Sequence, residues 1–358
     1  MWSAWRHRTL VATGLVAACV AGGALECYRD SYTPEQRIGA ELYGRMCAVC
    51  HGRTGEGYAA DNAPALANAN FQASVTDDFL RTAIANGRRD TTMSPWSTNR
   101  GGPLSGADVD AVVAFMRTWH DGEPVALDDR PPKGDAARGA RLFDARCADC
   151  HGKSGRGGPN IQLGDSELLA TASDGFLRLA IREGRPGTRM AAYADSLGEQ
   201  GVDDVLALMR SWQRAAPARP PPRPSRPPPI PLGPVPLNPK GPPPVGFKQF
   251  PGTTSVDVVH RELEKGAKMA LLDAREPSAY TILHIAGAVS VPFYDPSPYF
   301  DALPKDVWLV CYCACPHAES RTLAQALLDK GFAHVTVLHE GLGVWKGRKY
   351  ATREGREP

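Results

Sequence analysis

Hydrophobic and polar positions divide the chain into four regimes. An apolar run from Leu10 to Leu25 follows Arg6, His7 and Arg8. From about residue 31 to residue 214 the pattern is helical. It predicts helices over Glu35–Cys47, Asp77–Asn86 and Ser105–Trp119 and, after a second pass through the same plan, a last helix ending at Trp212. Pro34 stands near the first start, and Ser105 followed by Asp108 forms a capping-box-like pair. Residues 215–246 carry fifteen prolines and can build no core. From residue 247 short β-rich runs alternate with helical ones: Ala270–Ala274, Val289–Pro292, Val307–Cys313 and Val335–Leu338, with an amphipathic helix Ser320–Lys330 stopped by Gly331. That alternation predicts a parallel sheet flanked by helices.

The helical region contains a pair of pentapeptides a hundred residues apart: Cys47-Ala48-Val49-Cys50-His51 and Cys147-Ala148-Asp149-Cys150-His151. Cys-x-x-Cys-His is the attachment signature of a c-type haem. Two thiols and one imidazole must reach a single rigid macrocycle from one turn of chain. A zinc ribbon built from the four cysteines is the alternative, and it leaves both histidines idle. The repeat extends beyond the motif. Gly39 and Tyr43 precede the first as Gly139 and Phe143 precede the second, Asn62-Ala63-Pro64 is matched with Gly158-Pro159-Asn160, and Met93 with Met190. Histidine and methionine are 42 residues apart in the first copy and 39 in the second.

These features resemble class I c-type cytochromes over residues 32–214. The resemblance implies two all-α domains, at 31–122 and 128–214, whose first and last helices cross at the glycine and aromatic. It also implies two covalently bound haem c groups, a proline loop holding each histidine, and a late methionine completing each iron. In the first copy Met46 adjoins a haem-bonded cysteine and Met116 lies within an amphipathic helix. In the second Met209 is helical. Met93 and Met190, in irregular stretches, are therefore the expected partners of His51 and His151. His/Met ligation raises the reduction potential and leaves no open site, which suits electron transfer.

The C-terminal residues 247–350 resemble a rhodanese domain. The resemblance rests on Leu272-Asp273-Ala274-Arg275-Glu276-Pro277, His284-Ile285-Ala286-Gly287-Ala288-Val289, Tyr312-Cys313 at a strand end, and Leu338-His339-Glu340-Gly341 with Trp345. It implies an α/β domain with a parallel sheet and a persulfide-carrying cysteine at the strand-to-helix turn. Asp273, Arg275 and His284 are then structural residues. The loop from Cys313 to Arg321 is longer than in sulfurtransferases, lacks the usual glycine and holds a second thiol, Cys315. Three readings stay open: Cys313 as persulfide carrier assisted by Cys315; Cys315 as nucleophile with Arg321 binding an anion, as in arsenate reductases and phosphatases; or an inactive or metal-binding loop using Cys313, Cys315 and His317.

Charge is nearly balanced, 41 basic against 39 acidic residues, so no nucleic acid partner is expected. The nine cysteines do not spread to close loops, which excludes a disulfide scaffold. Residues 1–27 read as an export signal, with Val16-Ala17-Ala18-Cys19 resembling a lipoprotein cleavage box; attachment to a membrane would come through this segment. The expectation is a periplasmic dihaem cytochrome joined to a rhodanese-like domain. Its partners are redox proteins of a respiratory chain and a small sulfur compound. The alternatives are an electron shuttle with a docking module, or arsenate or phosphate-ester chemistry at the C-terminal loop.

Overall fold

The structure, a computed structural model, describes residues 32–60, 62–88, 91–215, 235, 238, 240–314 and 317–358. The apolar run with Cys19 and Cys27, most of the proline-rich segment, and Cys315 lie outside the described residues. Among the described residues no helix is long and apolar enough to cross a membrane.

The first helical module consists of α1 (Pro34–Met46), α2 (Ala48–His51), α3 (Ala69–Ser74), α4 (Asp77–Asn86) and α5 (Gly106–Met116). Side chains cap the orphan N–H groups at the starts. Thr33 and Gln36 form a capping box at α1, Ser105 and Asp108 another at α5, and Thr76 accepts from Phe79 N at α4. The predicted helix to Trp119 is α-helical only to Met116, and its last turn, Arg117–Trp119, tightens to 3-10 geometry. Helices α1 and α5 cross at Gly39, where a Cβ would stand 1.9 Å from the carbonyl oxygen of Ala111. Only glycine permits that approach. Beside it Tyr43 packs on Phe115 and Trp119, with ring centroids 5.5 and 5.0 Å away.

The second module repeats the arrangement with α6 (Ala136–Arg146), α7 (Ala148–His151), α8 (Ser166–Thr171), α9 (Asp174–Glu183) and α10 (Ala194–Ala215). Helix α10 breaks at Gly198 (φ 63°) and continues past Trp212. Here a Cβ on Gly139 would lie 2.1 Å from Asp204 O, and Phe143 meets Trp212 edge-on at 5.0 Å. The crossing is also pinned electrostatically. Asp204 accepts two hydrogen bonds from Arg138, at 2.8 and 2.9 Å, and one from Asp135 N. In the first module the crossing position is Ala111, which has no such handle.

An aromatic cluster joins the modules. Phe176 lies 6.2 Å from Phe71 and 5.3 Å from Phe79. Arg185 stands over Phe176 and Arg88 over Phe79, so both guanidinium groups rest on the shared cluster. Asn68 Nδ2 donates to Pro186 O across the junction at 2.8 Å.

The third domain is an all-parallel sheet of β1 (Thr253–Thr254), β2 (Met269–Asp273), β4 (Ala288–Ser290), β5 (Trp308–Tyr312) and β6 (Val335–Leu338), in the order β1-β6-β5-β2-β4. A short antiparallel ribbon pairs β3 (His284–Ile285) with β7 (Thr352–Arg353). Strand positions alternate between two cores. Met269, Leu271, Val310, Tyr312 and Leu338 pack under α11 (Val256–Glu264) and α14 (Gly341–Gly347). Ala270, Leu272, Leu309, Cys311 and Val337 pack under α13 (Ala318–Asp329), with α12 (Pro277–Ile282) following β2. Burial on both faces explains the near-continuous apolar runs seen in the sequence. Cys311, fully buried, fills the α13 side. The end of the proline-rich segment lies along this domain: Pro242 O accepts from Lys268 N, and Glu262 accepts from Val245 N.

Candidate functional site

Each Cys-x-x-Cys-His forms one short helical turn, Ala48–His51 and Ala148–His151, closed by a glycine with positive φ at residues 52 and 152. The turn places both cysteines and the histidine within one revolution. His51 Nδ1 lies 3.1 Å from Pro64 O and His151 Nδ1 2.9 Å from Ile161 O. A carbonyl can only accept, so each Nδ1 carries the proton and each Nε2 keeps its lone pair. Burial lowers the pKa of both imidazoles and favours the neutral form a ligand needs. Burial pushes the thiol of Cys47 up to about 12 and that of Cys147 up to about 11. These residues fit a covalently attached haem. Among the described residues no three His, Cys, Asp or Glu side chains converge on a common metal position, so the zinc-ribbon geometry is not built there.

The pairing of histidine loops requires a correction. Gly158-Pro159-Asn160 reads as the equivalent of the Pro64 loop, yet it is Ile161 whose carbonyl takes the place of Pro64's. The sequence separations are 13 residues (51 to 64) and 10 residues (151 to 161). The three-residue difference equals the difference between the His–Met separations of 42 and 39. The whole deletion therefore falls in this loop. Proline is not what the position needs; a carbonyl oxygen is.

The methionine loops are built alike. Thr91 Oγ1 donates to Arg88 O at 2.7 Å and accepts from Met93 N at 3.1 Å. Thr188 Oγ1 does the same with Arg185 O and Met190 N, at 2.7 and 3.1 Å. Arg88 N and Arg185 N return bonds to Met93 O and Met190 O. Each loop starts at a glycine with positive φ, Gly87 (65°) and Gly184 (63°), whose Cβ would lie 2.4 Å from the methionine carbonyl. Met116 and Met209 are buried on helices, whereas Met93 and Met190 are half-exposed on these clasped loops. Sequence reasoning missed the clasp, although its signal is present twice: Gly-Arg-x-x-Thr-x-Met at 87–93 and at 184–190.

In the third domain Cys313 follows β5 and is buried, with its Sγ 3.4 Å from Ser320 Oγ on the first turn of α13. Its carbonyl accepts from Leu342 N. His317 precedes α13 in left-handed geometry (φ 84°), its ring stacked 5.2 Å from that of His339. Arg321 is exposed, with its guanidinium 5.2 Å over the Phe250 ring. Buried Glu319 lies near Cys313 and Glu276, and desolvation holds its carboxyl well above the usual range. Asp273 and Arg275 form a buried pair at 2.6 and 2.9 Å, and Arg275 also donates to Leu283 O. His284 is fully buried between Tyr280 O and Glu357 O, 2.9 Å from each. All three hold the loop's surroundings together.

Residues 34–116 and 134–209 match the family model for subunit III of cbb3-type cytochrome c oxidase, and residues 255–348 match that of the rhodanese-like domain. The cbb3-type oxidase subunit FixP of Azorhizobium caulinodans is 32% identical over 36% of this chain and 42% of its own length. The cytochrome c subunit of the cytochrome bc1 complex of Mycobacterium bovis is 26% identical over 56% of this chain and 71% of its own. A probable adenylyltransferase/sulfurtransferase, MoeZ of Mycobacterium tuberculosis, is 30% identical over 31% of this chain and 32% of its own. The chain thus spans less than half the length of FixP and of MoeZ. A solved rhodanese-like domain from Anabaena is 30% identical over 28% of this chain and 78% of its own, with a TM-score of 0.27. The protein carries two c-type cytochrome domains in tandem, a kind of domain that holds covalently bound haem c, followed by a rhodanese-like domain.

Proposed function

We propose that the chain is an exported, periplasmic dihaem cytochrome that takes electrons from a reduced sulfur compound at its C-terminal thiol loop and delivers them to a respiratory chain. Cys47 and Cys50 with His51 and Met93 would hold the first haem, and Cys147 and Cys150 with His151 and Met190 the second. Each haem, when bound, would supply a one-electron acceptor. The 2.7 Å and 3.1 Å clasps keep each methionine loop in place, and the His–carbonyl bonds fix each imidazole's tautomer.

The observation that carries this reading is a thiol seated at a helix N-terminus in the same chain as two haem-attachment turns. Cys313 Sγ lies 3.4 Å from Ser320 Oγ on the first turn of α13, at the helix end where negative charge is stabilised. Hydrosulfide meets the Cys313 thiolate, and one S–S bond forms. The hydrosulfide proton would leave to water and two electrons would leave the sulfur pair, for which two haems, when bound, would be the one-electron acceptors. Cys313 is left as a persulfide. Cys315 would be the second thiol: its thiolate attacks the outer sulfur, the S–S bond to Cys313 breaks, Cys313 leaves as a thiolate and Cys315 carries the persulfide.

The test is the visible spectrum of purified full-length protein during anaerobic addition of sulfide. Reduction of both haems in the parent, and its loss in Cys313→Ser and in the double variant with Cys315→Ser, is expected. Unchanged reduction in the double variant would leave the third domain a docking module only.

A further inference from the structure

The third domain is not held at a distance by its tether. Ser278 Oγ on α12 donates to Pro95 O at 2.9 Å, and the Glu276 side chain hydrogen-bonds that of Ser94. The rings of Trp96 and Tyr294 lie 5.7 Å apart, and Arg45 reaches Tyr294 O. Helix α13, which begins at the thiol loop, packs against α2, the first haem-attachment turn. Ser278 and Trp96 are buried here, and one continuous cluster of packed side chains runs from the first module to the α13 side of the sheet. The hydrogen bonds and ring contacts named here all join the third domain to the first helical module. Both structures that frame the first haem, its Cys-x-x-Cys-His turn and the segment directly after Met93, are touched.

We infer that the rhodanese-like domain is docked as the resident electron donor of the first cytochrome domain. Electrons released at the thiol loop enter at the first haem and leave by the second, whose methionine loop meets the first module at Asn68 and Pro186. This rests on the sulfur reading above for the source of the electrons, but not for the docking. The sulfur pair at Cys313 gives up two electrons; the first would pass through the first haem to the second, and the other would stay on the first. The proline-rich tether alone would supply only an effective concentration, whereas a seated interface fixes distance and orientation.

The variant Ser278→Lys places a charged chain in the buried contact with Pro95 while touching neither haem ligands nor thiols. Hydrogen–deuterium exchange on the full-length holoprotein reads docking, and stopped-flow reduction by sulfide reads transfer. Dithionite reduction controls for haem competence. Expected in the parent is slow exchange at 94–97, 276–282 and 293–295. The variant should exchange fast there, be reduced by sulfide about tenfold or more slowly, and respond to dithionite unchanged. Fast exchange in the parent overturns the docking, and an unchanged sulfide rate in an undocked variant overturns the electron route. If Ser278→Lys still exchanges slowly, the double variant with Tyr294→Ala replaces it and is read by the same criteria. Should sulfide reduce neither haem in a parent that shows slow exchange, the sulfur source fails, and so does the entry route from it, while the docked interface stands.

Discussion

The threonine clasp gives the account a quantitative handle. Thr188→Val keeps the side chain's shape and removes its hydroxyl, which makes two hydrogen bonds, to Arg185 O and from Met190 N. Each contributes about 0.5–1.5 kcal/mol, and because the loop is only half-buried, water takes over a share of the lost pairing. The loop that aims Met190 should therefore lose about 1–2 kcal/mol against its open form. At about 1.4 kcal/mol per tenfold, the methionine-off population should rise roughly tenfold. Imidazole competes for the iron only when the methionine is off. Its apparent affinity for the ferric second haem should rise by about the same factor, read as loss of the long-wavelength band of methionine-ligated ferric haem. Thr91→Val should do the same at the first haem, and the two effects should be independent. If neither substitution altered imidazole binding, the clasp would be ornamental and the ligand assignment at 93 and 190 would lose its support.

Other outcomes follow from the packing. Gly139→Val drives a Cβ to 2.1 Å from Asp204 O, and thermal unfolding of the second module should show a loss of at least about 1–3 kcal/mol. Arg275→Met strands Asp273 as a buried charge, which should cost about 3–5 kcal/mol in denaturant unfolding followed by Trp345 fluorescence. The Arg138 guanidinium beside Asp204 holds its carboxyl at about 2, below an unfolded value of 3.8. A depressed folded pKa gives stability that is full above the unfolded value and is lost as pH falls through the folded one. The stability difference between the parent and Asp204→Asn should therefore be constant above about pH 4 and shrink towards about pH 2; a difference flat across that window would remove Asp204 from the crossing.

Much of this architecture was legible because local and global signals agree. The 77–86 helix and the 335–338 strand have their predicted bounds, each set by a cap or turn residue next to a clean apolar pattern. Gly39 and Gly139 announced the helix crossings because no other residue fits there. What the sequence left unreadable depends on backbone groups rather than side-chain identity. The carbonyl that orients His151 belongs to Ile161, and nothing about an isoleucine advertises its oxygen. Helix α11 and the β3–β7 ribbon also went unread, the ribbon because each of its strands has two residues, too few for a period to show. The seating of the third domain on Ser94, Pro95 and Trp96 could not be foreseen, since a long proline-rich segment predicts separation and the contact is made by residues far apart in the chain.

The central claim is that sulfur captured at Cys313 yields electrons to the haems, and counting both products in one anaerobic reaction tests it most directly. Ferric full-length protein is mixed with limiting sulfide, haem reduction is read optically, and persulfide on Cys313 or Cys315 is read by mass spectrometry of the same sample. The account predicts two reduced haems for each persulfide formed. Persulfide accumulating over ferric haems, or reduced haems with no persulfide on Cys313 or Cys315, would contradict it.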